Sequence, residues 1–172
     1  EEGVAAVEFA LILPLLLLLY LGSIEASSLF TVDRRVEVIS TTVADLVARW
    51  NPNQGAITDD VLSDYFRAAE GIIVPYDDGA LTQVVSVLEV DEDGIAVVVW
   101  SCAYNGGTSL DAGDIYELGE QMQTLSAGGF VVAATTRYPY RPVLGMVFKD
   151  AITLENEALF LPRFGEALDA PE

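Results

Sequence analysis

The chain has 172 residues, with 8 Lys+Arg against 27 Asp+Glu and a formal net charge of −19. Charge of that sign repels phosphates and anionic headgroups, so neither nucleic acid nor adsorption to a membrane surface is expected. With no histidine and one cysteine, Cys102, the chain has no Ser-His-Asp or Cys-His pair, no His-containing zinc site and no intrachain disulfide, and we expect no enzyme, cofactor or metal.

Hydrophobic residues make up 52% of the chain but crowd its start, where 17 of the first 24 residues are hydrophobic. Acidic residues crowd the remainder: residues 51–172 carry 20 of them against 5 basic ones. This divides the chain into an N-terminal membrane or filament-core helix over 1–50 and an acidic α+β head over 51–172.

From Val4 to Ile24 the only side chain charged at neutral pH is Glu8. A helix of that length is about 31 Å long, enough to cross a bilayer core. A cleaved signal peptide should open with Lys or Arg and end in small residues; Glu1-Glu2 and Gly22-Ser23-Ile24-Glu25-Ala26 fit that poorly, so an anchor is the expectation. Glu8 costs about 2.5 kcal/mol or more inside hydrocarbon. Either the span starts at Phe9, which leaves it short, or Glu8 lies within the helix and has a counter-charge. Pro14 removes one backbone donor and should kink or loosen the same helix.

The helix continues. Leu29, Val32, Val36, Ile39, Val43, Leu46 and Trp50 recur at alternating spacings of three and four, which predicts one stripe packed on the chain's own head. Asn51-Pro52-Asn53-Gln54-Gly55 should stop the helix near Trp50.

In the head, Thr58 can cap a short helix that has Asp59 and Asp60 in its first turn and ends at Gly71. Its apolar face is Val61, Leu62, Tyr65, Phe66 and Ala69. Four strands are predicted over Leu81–Val90, Ile95–Tyr104, Phe130–Tyr138 and Ile152–Leu161. Asp91-Glu92-Asp93-Gly94 joins the first two as a hairpin turn; a calcium loop would need further ligands after Gly94, where Ile95-Ala96-Val97 supplies none. The excursion between strands two and three reads as a loop, and Asp111, Asp114 and Glu117 on it read as surface charge rather than a carboxylate-pair hydrolase site. Trp100 and Cys102 should share one strand face, packed against the helix stripe.

Gly3-Val4-Ala5-Ala6-Val7-Glu8-Phe9, followed by an apolar helix containing Pro14, resembles the cleavage and assembly signature of type IV pilins. The wording GVAAVEFALILPLLLLLYLG is similar to TadE/TadG-like pseudopilins of tight-adherence pilus systems. The resemblance extends into the head through Val98-Val99-Trp100-Ser101, Tyr138-Pro139-Tyr140-Arg141-Pro142 and Phe160-Leu161-Pro162-Arg163. It implies a prepilin-peptidase processing site between Gly3 and Val4, and an assembly role for Glu8, Phe9 and Pro14. In it, Glu8 pairs with the N-terminal amine of a neighbour, and Pro14 allows local melting of the spine. It also implies the inner membrane as the location before assembly. Afterwards the chain would sit in an extracellular helical filament with copies of itself or related pilins, built by pilus assembly machinery. The competing reading is a membrane-anchored periplasmic binding or sensory module that does not polymerise.

Overall fold

The computed structural model describes residues 2–142, 145, 150–165 and 167–171. A single helix, α1, runs from Glu2 to Ala48 and passes through Pro14 without losing helical assignment. At about 1.5 Å per residue its 47 residues reach roughly 70 Å. It stops two residues short of Trp50, where Trp50 N–H closes a tight turn onto the Val47 carbonyl. The indole of Trp50 then donates to Gly55 O at 3.0 Å. The free end of α1 is met by the far end of the chain. Arg163 N–H donates to Ala48 O at 2.9 Å, and the Arg163 guanidinium joins Arg49 on Asp45.

Helix α2, Asp59–Glu70, starts as expected, with the Thr58 hydroxyl accepting from Val61 N–H, and buries Leu62, Phe66 and Ala69. The sheet has five strands, β1 (Thr82–Val90), β2 (Ala96–Tyr104), β3 (Ile115–Tyr116), β4 (Phe130–Tyr140) and β5 (Ile152–Phe160), in the spatial order β3-β2-β1-β4-β5. Every pairing is antiparallel, so the α+β assignment holds. The predicted loop between β2 and β4 in fact holds β3 and a third helix, α3 (Glu120–Ser126). Both escaped the sequence reading for a physical reason. A two-residue strand has no period, and α3 lacks a side-chain cap and leaves Leu125 exposed, so it has no apolar stripe.

The two helices lie on one face of the sheet, α1 over β4 and β5 and in contact with α2. The core between them joins Val32, Val36, Ile39, Val43 and Val47 of α1 to Leu62 and Phe66 of α2 and to Val85, Val87, Trp100, Val132 and Tyr138 of the sheet. Each such aliphatic side chain contributes about 1.5–3 kcal/mol when taken out of water. The other face carries a smaller cluster of Leu88, Val90, Ala96, Val98, Leu118, Val131 and Ala133, with Met122 of α3 against it.

One expectation is corrected here. The stripe holds through Val43, but then Ala44, Val47 and Ala48 are buried while Leu46 is only half-buried. A strict 3-4 spacing repeats every 3.5 residues, whereas a straight helix turns every 3.6, so the contact face drifts by about 20° per heptad and leaves Leu46 behind. Trp100 and Cys102 do share a face, opposite Val87 and Val85, and that face belongs to the same core as the α1 stripe, although α1 itself runs over β4 and β5. The strand is covered by α2, whose Phe66 stacks on Tyr104 at 5.2 Å between ring centroids, and by the C-terminal tail. There the Trp100 indole donates to Leu168 O at 2.7 Å. Cys102 is half-buried, and burial together with the charge of Asp59 pushes its thiol up from the ordinary value.

Candidate functional site

Among the described residues, every residue of α1 whose burial is known before Leu21 is exposed. From Val4 through Tyr20 every large apolar side chain is exposed, including Val4, Phe9, Leu11 and Leu16–Leu19. The helix is long and apolar enough to cross a membrane: its best 18-residue window has a mean hydropathy of 2.3, and none of that window is buried. Leaving this much hydrocarbon in water costs far more than a domain's net stability, so the surface has a second medium, lipid or protein.

Glu8 stands on this surface, exposed, and among the described residues it has no polar partner within the chain. Arg34 and Arg35 are the next basic residues along α1, about 39 Å away at 26 residues of helical rise. Phe9 flanks Glu8 and is equally exposed. Gly3 and Val4 sit exposed in the first turn, with nothing within 4 Å of where a side chain would start at Gly3. Pro14 has no N–H to give to the carbonyl of Ala10, so the ladder is weakened one and a half turns beyond Glu8. The five residues singled out by sequence thus share one exposed segment, and within one chain they do not form a closed site.

Sequence reasoning passed over a buried carboxylate on α1. Glu25 is 2% exposed at the foot of the head; burial first, then the neighbouring Tyr76 and the charge of Glu25, raise the phenol of Tyr140 above its ordinary value. The signal was present as an eleven-residue spacing: Glu25, Val36 and Val47 fall on one line of a straight helix, and all three are buried. Close by, Arg35 fastens the foot of the head to α1. Its guanidinium donates to Ile72 O at 2.7 Å and to Val74 O, and lies 5.8 Å over the Tyr76 ring.

The acidic turns of the head are occupied by their own backbone. Asp91 Oδ1 accepts from Asp93 N–H and Ile95 N–H at 2.9 and 2.8 Å, an Asx turn within the hairpin. Asp114 Oδ2 accepts from Asp111 N–H at 3.2 Å. Among the described residues no group of three or more Cys, Asp or Glu side chains could hold a metal ion. A cleft of about 410 Å3 on the outer sheet face is lined by Ser86, Thr135, Tyr116, Arg137, Glu155 and Glu157. Its charges are already paired: Arg137 with Glu155 at 2.7 Å, and Glu157 with the Tyr116 hydroxyl, whose pKa is pushed up chiefly by burial.

Residues 3–45 match the family model described as TadE-like protein. The matched segment contains Gly3, Val4, Glu8, Phe9 and Pro14 and ends within the buried part of α1, so the sheet of the head lies outside it. No curated protein and no solved structure matches the chain.

Proposed function

We propose, from a TadE-like N-terminal helix on an acidic α+β head, that the chain is a pilin-like structural subunit of a type IV/Tad-type filament. The observation that carries this reading is the exposed apolar length of α1 with its one carboxylate, inside the matched segment. Before assembly the helix spans the inner membrane; prepilin peptidase cuts between Gly3 and Val4, and assembly machinery moves the subunit into an extracellular fibre. Lateral contacts between copies then replace lipid around Val4–Tyr20, and the acidic heads keep the fibre surface hydrated. Glu8 guides packing, because a carboxylate among apolar helices must find a donor.

The test compares surface fibres from cells expressing the wild type and Glu8→Ala. Wild-type fibres containing this subunit, lost in the variant while the purified protein keeps a folded head, are the expected result. Fibres formed equally well by Glu8→Ala would remove the assembly role. An absence of fibres in the wild type, with the protein retained in the membrane, would favour an anchored binding or sensory module.

A further inference from the structure

The outer side of α1, turned away from the sheet, carries a second exposed stripe above the membrane-length segment: Ser27, Phe30, Thr31, Arg34, Val38 and Thr41. Phe30 is 71% exposed, more than most single surface aromatics, and Val38 is 42% exposed. Both of the stripe's threonine hydroxyls are already satisfied within the helix. Thr31 Oγ1 donates to Ser27 O at 2.8 Å and Thr41 Oγ1 to Glu37 O at 2.8 Å, so both threonines can be covered without stranding a donor. Arg34 stands in the middle, its side chain 74% exposed and held only by Glu37 one turn away.

We propose that this stripe receives the first turns of α1 from a second copy of the chain, parallel and shifted by 26 residues, so that Glu8 of that copy pairs with Arg34. The inference rests on the filament reading above and gives Glu8 a side-chain donor in addition to the Val4 amine that cleavage would free on a neighbour.

Charge and spacing select this register. The stripe's only cation is Arg34, and Glu8 is the lone charge between Val4 and Ile24. A shift of one residue more would offer Arg35, but that guanidinium is engaged by the Ile72 and Val74 carbonyls and the Tyr76 ring. The same 26-residue shift sets Val4 beside Phe30, Ile12 beside Val38 and Leu15 beside Thr41. All four positions on each helix fall within an arc of about 80° at 100° per residue, so they present together. Each apolar member of the set is exposed in the single chain. Glu37 need not be displaced, since a guanidinium has five donors and can hold two carboxylates.

The test uses the full chain in assembling cells, with fibre yield as the readout. Arg34→Glu alone and Glu8→Arg alone should each lower yield by about tenfold or more, as truncating one half of a desolvated pair does. The double reversal should recover part of it, several-fold above either single variant. A second measurement does not depend on tolerance of an arginine in the span: co-expressed Val4→Cys and Phe30→Cys chains should form a disulfide-linked dimer in fibres, whereas Val4→Cys with Thr42→Cys, three turns away, should not. Wild-type fibres with normal yield from Arg34→Glu, or with no Val4–Phe30 crosslink, would overturn this register and leave the filament reading standing. A wild type without fibres would end both.

Discussion

Asp45, on the last turns of α1, is shared by two guanidinium groups that lie far apart in sequence, Arg49 four residues on and Arg163 beyond the last strand. The pair of contacts locks the end of the long helix to the end of the sheet. The helix is thereby anchored to the head near Ala48 by the tail, along Val32–Val47 by the core, and at its foot by Arg35.

That arrangement gives a pH dependence. Hydrogen bonding from Arg49, then Arg163, holds the Asp45 carboxyl below the ordinary Asp range, and Arg137 does the same to Glu155. A carboxyl whose folded-state pKa is lowered contributes stability above its unfolded value and loses it as pH falls through the folded value. Unfolding stability should therefore fall below about pH 4, by no more than about 1 kcal/mol per pair because these are surface contacts. Denaturant titrations between pH 6 and pH 3 check this, and Asp45→Asn should flatten the slope.

The corrected stripe makes a sharper distinction between two neighbouring positions. Ile39→Ala should cost about 2–5 kcal/mol, as a fully buried aliphatic does, whereas Leu46→Ala should cost under about 1 kcal/mol. Chemical denaturation of the two proteins in the same detergent decides it; equal losses would mean that the stripe keeps to the heptad.

Trp100→Phe should keep most of the aromatic packing but strand the Leu168 carbonyl, at a cost of about 1–3 kcal/mol. Because that bond holds the tail over β2, the same substitution should expose residues after Arg163 to limited proteolysis. A tail as resistant as the wild type's would show that Leu168 is held by its own burial.

Thr58→Ala should lower stability by about 1 kcal/mol through loss of the cap on Val61 N–H, and Thr58→Ser should restore it. Thermal melts of the two variants are sufficient.

How much of this was legible in the sequence follows from the range of the forces involved. The spine, the cap at Thr58, the hairpin at Asp91 and the four longer strands rest on local patterns, and all are present with ends shifted by at most two residues. Glu8 was conspicuous because a charge in an apolar run has no local explanation. The placement of α1 over β4 and β5 and of the tail over Trp100 depends on contacts between residues far apart in the chain, for which periodicity carries no signal. Its N-terminal resemblance is borne out over residues 3–45, within the spine and its continuation.

One irregularity of β2 remains. Val87 lies opposite Trp100 while the next residue, Leu88, lies opposite Val98, so Val99 has no partner. By parity Ala96, Val98, Trp100 and Cys102 should line one side, yet the first two join the outer cluster and the last two the inner one. Val99 acts like an extra letter that shifts a reading frame: everything before it is read on one side of the sheet and everything after it on the other. Its removal would leave each remaining pair facing as it does now and would only straighten the strand, so this is the one place in β2 where a single-residue deletion should preserve both cores. Deleting Ser101 instead should turn Trp100 and Val98 to the wrong sides and unfold the head.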